Sequence, residues 1–277
     1  MINLPVSIPE PHRIFLERIE RLKSDNRLMG VAVGGSLLED LMDEFSDLDL
    51  VIAVDPAQYS NVMKERLDIV ASLGHLLSGF TGEHVGEPRV LICLYDKPLL
   101  HVDFKFVSLE DVSRRVEDPL ILWEREGCLT EGFSRGVAKF PDPDHGWIED
   151  RFWVWIHYVS AKIGRGELFE AVDFISFLRT TILGPLGLEQ AGGRPSGVRK
   201  IEMSAPDFAL KLRGTITGYD AVECLHALRA CVDIYRLLRA DWEKTIEISA
   251  AESRAVEYFE DIESRYGPSK IQYHLTD

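Results

Sequence analysis

Cysteine is scarce: the 277 residues hold four, Cys93, Cys128, Cys224 and Cys231. No two form a Cys-x-x-Cys pair and no histidine cluster stands beside them, which argues against a zinc site. Sparse, unpaired cysteines suit a reducing, cytoplasmic compartment. Long apolar runs are missing as well. No stretch approaches the roughly 18 uninterrupted apolar residues of a membrane span, so none is expected. The opening MINLPVSIPEPHRIF lacks the apolar run after a basic start that marks a signal peptide. Cations are outnumbered, with 31 Lys plus Arg against 46 Asp plus Glu and a net charge of −15. Binding a phosphate polymer gains free energy from Lys and Arg, so this balance disfavours a long nucleic-acid partner. It is a better electrostatic match for a cationic small molecule. Internal repeats and low-complexity tracts are absent.

What is present is an ordinary globular composition, 45% apolar and 28% charged. The length is comfortable for two domains and buries a core large enough to need no disulfide or structural metal. Residues 9–23 read as a helix with an apolar stripe of Ile14, Phe15, Ile19 and Leu22. Residues 29–33 read as a buried strand ending at a Gly34-Gly35 turn, and 36–44 as a short helix with Ser36 at its N-cap. A second strand, 48–54, stops at Asp55-Pro56. Residues 59–78 read as a longer helix and 81–88 as a loop. Strands over 89–95 and 99–107 form a hairpin through Asp96-Lys97-Pro98. From 108 onward the pattern is mostly helical. The Pro- and Gly-containing stretch KFPDPDHGW separates a mixed half, 1–145, from an all-helical half, 146–277.

The informative segment is Gly34-Gly35-Ser36, followed after ten residues by Asp47-Leu48-Asp49-Leu50. Two glycines between a strand and a helix allow close approach of a ligand. Free N–H groups at a helix start suit a phosphate, and Ser36 adds a hydroxyl. Asp47 and Asp49 stand two apart on a strand, so both carboxylates leave one face while Leu48 and Leu50 enter the core. Paired carboxylates repel unless a cation neutralises them, and hard oxygen ligands favour Mg²⁺. In 99–107 the alternation puts His101, Asp103 and Lys105 on one face and Val102, Phe104 and Phe106 on the other. If this strand neighbours that of Asp49, Asp103 completes a three-carboxylate site of the kind that holds two Mg²⁺ ions about 3.5–4 Å apart.

This pattern resembles the signature of the polymerase-β-like nucleotidyltransferase superfamily. The length and helical second half are similar to antibiotic nucleotidyltransferases that adenylylate aminoglycosides or lincosamides. The match covers about residues 28–107. The resemblance implies an α/β (α+β) catalytic domain with a small mixed sheet over 1–145, followed by an all-α helical bundle over 146–277. It implies ATP or another nucleoside triphosphate as donor, two Mg²⁺ ions and pyrophosphate as product. Gly34, Gly35 and Ser36 would hold the triphosphate, Asp47 and Asp49 both metals, and Asp103 the metal nearer the acceptor. The expected function is transfer of a nucleoside monophosphate, AMP by resemblance, to a hydroxyl of a small, aminoglycoside-like acceptor. Its rivals are a nucleotidyltransferase-like binding module of the antitoxin type and transfer onto a protein side chain.

The second half carries softer signals. Phe152, Ile156, Val159 and Ile163 form a core stripe. Arg151, Trp155, Tyr158, Lys162 and Arg165 form an adjacent stripe. In one reading it lines the cleft, with Tyr158 and Lys162 on base or phosphates; in the other it is a domain interface with a solvated basic edge. Glu167 and Glu170 are either acceptor-binding acids or helix-start residues complementing the dipole. Arg194, Arg199 and Lys200 read either as a solvated surface loop or as a cation cluster that grips a triphosphate. Trp123 and Cys128 read as packing, and His157 as a core or boundary histidine.

Overall fold

The apolar runs of the first half become strands. The structure, a computed structural model, describes residues 8–38 and 41–266. Helix α1 (Glu10–Arg18) runs into a 3₁₀ turn and then β1 (Leu28–Val33), β2 (Leu48–Val54), α2 (Tyr59–Ala71), β3 (His75–Gly82), β4 (Glu87–Asp96), β5 (Leu100–Ser108), β6 (Leu120–Glu124) and α3 (Cys128–Ser134). The strands form one mixed sheet in the order β3-β4-β5-β2-β1-β6. β2 and β5 run parallel and every other neighbouring pair is antiparallel.

Alternation decides which face is core. Leu48, Leu50 and Ile52 of β2, Val102, Phe104 and Phe106 of β5, and Leu91, Cys93 and Tyr95 of β4 share a core with Phe15, Leu16 and Ile19. Phe15 meets Tyr95 edge-on at 4.7 Å between ring centres. Truncating a fully buried ring such as Phe104 to alanine costs about 3–5 kcal/mol. On the opposite face a smaller cluster of Ala32, Ala53, Val107, Val112 and Leu129 packs together. On that same face Asp49 and Asp103 are half-buried.

Three expectations fail here. The helix expected over 59–78 ends at Ala71, and β3 follows. Its leucines suit either state, and pairing with β4 decides between them. A further strand, β6, lies in the stretch read as helical, because β1 has a second open edge for it. The helix expected over 36–44 is only a 3₁₀ turn, Gly35–Leu37, among the described residues. Asp43 accepts from the Phe45 amide at 3.0 Å and the Ser46 hydroxyl at 2.9 Å, local bonds that compete with helix. Residues 39 and 40 of that segment lie outside the described residues.

The chain divides into two compact units at Phe140/Pro141. The second is helical: α4 (His145–Gly164), α5 (Leu168–Leu178), α6 (Gly184–Gln190), α7 (Ile201–Ser204), α8 (Pro206–Leu212), α9 (Ala221–Arg239) and α10 (Ala251–Arg265). Asp144 caps α4 by accepting from the Trp147 amide at 2.9 Å. Asp220 does the same for α9, accepting from Val222 and Glu223. The stripe Phe152, Ile156, Val159 and Ile163 is fully buried with Cys224 and Cys231. One segment among the described residues, Leu168–Gln190, is long and apolar enough to cross a membrane, but half of it is buried inside this unit, as in a core helix. His157 is exposed and stacks on Tyr258 at 4.4 Å, so it is a surface residue and not a core one.

Candidate active site

The sheet brings the three aspartates together. Asp47 immediately precedes β2, Asp49 lies within it, and Asp103 stands directly opposite Asp49 in the parallel β2–β5 register. One carboxylate oxygen from each lies within 4.8 Å of the other two, and all three residues are half-buried. Three like charges at this spacing repel one another. A divalent cation that prefers oxygen ligands removes that cost.

The glycine turn abuts the same site. The Gly34 amide donates to the Asp49 carbonyl at 2.8 Å, extending the β1–β2 ladder by one residue. Gly35 has φ +66°, in the left-handed region, and a Cβ there would fall 2.2 Å from Asp49 Oδ2. Only glycine allows this backbone to lie against the carboxylate. The Ser36 hydroxyl is buried with no hydrogen-bond partner among the described residues, an uncommon state that a further ligand would relieve. The hard donor set, the close turn and the orphaned hydroxyl together fit a divalent cation with an oxyanion beside it. No α-helix starts at this turn among the described residues, so the expected helix-dipole contribution is withdrawn.

The neighbours of the aspartates are engaged. His101 Nε2 donates to Asp103 Oδ1 at 2.9 Å, which sets the proton on Nε2. Lys105 Nζ lies 2.9 Å from Glu87, which also holds Arg89 at 2.6 Å. The Arg89 hydrogen bonds first, then Lys105, hold the Glu87 carboxyl down at about 2. Burial, with the Asp103 charge adding, pushes the Cys93 thiol up to about 12, so it remains protonated in the core.

Two residues at the site carry no sequence signal. Glu117, in the β5–β6 connection, accepts the Gly35 N–H at 3.0 Å. His12, fully buried on α1, donates from Nε2 to the Ser46 carbonyl at 2.6 Å and so holds the residue before Asp47. Both act across 34 or more residues of chain, through contacts no local pattern encodes.

Tyr158 and Lys162 belong to the second unit. Lys162 Nζ is shared by Glu167 at 2.6 Å and Glu170 at 2.9 Å, and the Tyr158 hydroxyl donates to Glu170. Those carboxylates raise the Lys162 ammonium above its ordinary range, Glu167 foremost. A phosphate would therefore compete with two carboxylates for this cation. Trp123 is buried, and the Cys128 thiol lies 3.3 Å from the Met29 carbonyl, both in packing roles.

The sequence matches no family model and no curated protein. Among solved structures, the chain is similar to an aminoglycoside 6-adenyltransferase from Bacillus subtilis, with 14% identity and a TM-score of 0.37 over 91% of this chain and 97% of that one. It is also similar to a nucleotidyltransferase-like protein from Exiguobacterium sibiricum, with 11% identity and a TM-score of 0.37 over 88% of this chain and 77% of that one.

Proposed function

We propose that this chain is a Mg²⁺-dependent nucleotidyltransferase that moves a nucleoside monophosphate from ATP or another nucleoside triphosphate to a hydroxyl of a small acceptor. The observation that carries the reading is the cluster of Asp47, Asp49 and Asp103 within 4.8 Å of one another, set against a glycine turn with φ +66° at Gly35. Residues 1–145 form the catalytic domain in this reading and 146–277 a helical domain.

Asp47, Asp49 and Asp103 would hold two divalent ions, which when bound neutralise charge on the transferring phosphoryl group. The chain's own part is positioning. Gly34 and Gly35 keep the backbone low enough for phosphate oxygens to approach, and Ser36 donates its hydroxyl to one of them. Asp103, on the strand farther from that turn, takes the proton of the acceptor hydroxyl. Holding acceptor and donor in line on a charge-matched surface supplies most of the rate enhancement.

The test is a four-way thermal shift with and without Mg²⁺ and a non-hydrolysable ATP analogue, followed by pyrophosphate release from ATP with candidate acceptors. The two ligands together raise the Tm more than either alone, because ligands of the folded state stabilise it by mass action, about 2.7 kcal/mol at one hundred times Kd. A Tm flat in all four combinations would defeat the proposal. A joint shift without turnover on any acceptor would favour the binding module.

A further inference from the structure

The sheet order acts as a ruler across the site. From the glycine turn at the end of β1, the order is β2 with Asp47 and Asp49, β5 with Asp103, then β4 and β3. In-line displacement at phosphorus places the incoming oxygen opposite the leaving group. With pyrophosphate leaving on the glycine-turn side of Asp49, the acceptor must arrive on the other side, over β4 and β3.

That side of the same sheet face carries a row of apolar side chains. Ile92 of β4 stands opposite Asp103, and Phe80 of β3 stands opposite Ile92. Asp49, Asp103, Ile92 and Phe80 thus form one cross-strand row. In the next row Leu94 pairs with both His101 and Ser78. Phe80 is 51% exposed and Leu94 40% exposed, whereas the alternate residues Leu91, Cys93 and Tyr95 are core. At the usual strand spacing of about 4.8 Å, the shelf reaches about 10 Å from Asp103 to Phe80, enough for one ring. Around it Lys105 and Arg89 pair with Glu87, His75 with Asp96 and His101 with Asp103, and the His84 ring lies 5.7 Å from that of Phe80.

We infer that Phe80, Ile92 and Leu94 form the acceptor subsite, and that the acceptor is a hydroxyl compound carried on an apolar, ring-sized body and not a polycation. This rests on the nucleotidyltransferase reading above. The acceptor's body lies on the shelf while its oxygen forms the new bond to the α-phosphorus. The bond from that phosphorus to the pyrophosphate oxygen breaks, pyrophosphate leaves with the electron pair, and the hydroxyl proton goes to Asp103. Apolar contact on the shelf fixes which hydroxyl reaches the phosphorus, and exclusion of water there protects the donor from hydrolysis.

The experiment uses the full chain with ¹³C-labelled isoleucine and leucine methyl groups. Mn²⁺ is added first, then benzyl alcohol, glycerol and ethanolamine in separate titrations with Mg²⁺ present. Mn²⁺ broadens the Ile92 methyl signal, because Ile92 adjoins Asp103. Benzyl alcohol shifts the Ile92 and Leu94 methyls saturably, and glycerol and ethanolamine leave them in place. Leu94→Asp weakens benzyl alcohol binding about tenfold, as the loss of one apolar contact predicts, and keeps the Mn²⁺ broadening. Phe80→Ala gives the same loss and covers the case in which Leu94→Asp does not fold. If Mn²⁺ broadens Ile92 and benzyl alcohol moves neither methyl, or ethanolamine moves them more, the subsite is wrong and the metal site stands. No Mn²⁺ broadening at all defeats the metal reading and this inference with it. Methyl shifts that follow protein concentration, with a dimer mass by light scattering, assign the shelf to a second copy of the chain and also overturn it.

Discussion

The Glu117 carboxylate accepts the Gly35 amide at 3.0 Å, and a Cβ at Gly34 would lie 2.4 Å from the same carboxylate. An anion of the protein's own thus rests on the turn assigned above to the donor's phosphates. Carboxylate and phosphate oxygens want the same amide, so the two compete. Glu117→Ala therefore tightens triphosphate binding, by about three- to tenfold if one charge-assisted hydrogen bond has to be given up. Isothermal titration with Mg²⁺ and the ATP analogue measures it. Weaker binding in the variant would instead make Glu117 part of the metal's surroundings.

The two glycines respond differently to a methyl group. At Gly35 the added Cβ meets Asp49 Oδ2 at 2.2 Å on a backbone with φ +66°, so relief has to move the Asp49 carboxylate or the turn itself. At Gly34, where φ is −114°, it meets only the far end of the flexible Glu117 side chain. Gly35→Ala is expected to abolish Mg²⁺-dependent stabilisation and turnover, and Gly34→Ala to retain a measurable share of both. Equal loss in the two variants would show that the turn does not discriminate in this way.

Like charges within 4.8 Å of one another work against the fold unless a cation neutralises them, and the proposed metal site would give them that use. Asp47→Asn, Asp49→Asn and Asp103→Asn each keep or raise the metal-free Tm and lose the Tm increment from Mg²⁺. Each also lowers pyrophosphate release by two to three orders of magnitude, about the effect of deleting one key electrostatic group. A variant that unfolds without metal, or turns over as wild type, contradicts the assignment for that residue.

In the helical unit Glu149 is fully buried and accepts four hydrogen bonds, from Trp153 Nε1 at 3.0 Å, the Tyr235 hydroxyl at 2.6 Å, Arg239 at 3.1 Å and the Ser249 amide at 3.0 Å. Removing the carboxylate leaves the Trp153, Tyr235 and Ser249 donors without it, while Arg239 keeps its ion pair with Glu252 at 2.7 Å. Glu149→Ala costs about 1–3 kcal/mol for each buried donor left unsatisfied. Glu149→Gln, which keeps some of the bonds, costs less. Urea unfolding followed by tryptophan fluorescence reports both.

Glu87 supplies a pH signature. Its carboxyl sits at about 2 in the fold against 4.5 ordinarily, held there first by Arg89 and then by Lys105. A depressed carboxylate pKa contributes stability that is full above 4.5 and is lost as pH falls toward 2. Glu87→Gln removes that dependence, so the difference in Tm between wild type and variant shrinks across this window. A constant difference from pH 5 to pH 2 would show that Glu87 contributes nothing through its charge.

Local pattern determined a good deal of this protein. Period-two alternation in 99–107 and around Asp49 identified which carboxylates leave the core, because a strand sends successive side chains to opposite faces. Helical spacing identified Phe152, Ile156, Val159 and Ile163 as core. Tertiary structure decided what spacing cannot encode. Leu76 and Leu77 suit helix or strand, and only the β4 edge beside them made β3. The parallel pairing of β2 with β5 put Asp103 opposite Asp49 across more than fifty residues of chain. Glu117 on Gly35, His12 on Ser46 and the Phe80–Ile92 shelf beside Asp103 exist only because the sheet orders its strands β3-β4-β5-β2-β1-β6. Sequence carries the chemistry of each side chain and its local period; which side chains meet is set by sheet pairing and burial, which act over distances in the chain that no short pattern spans.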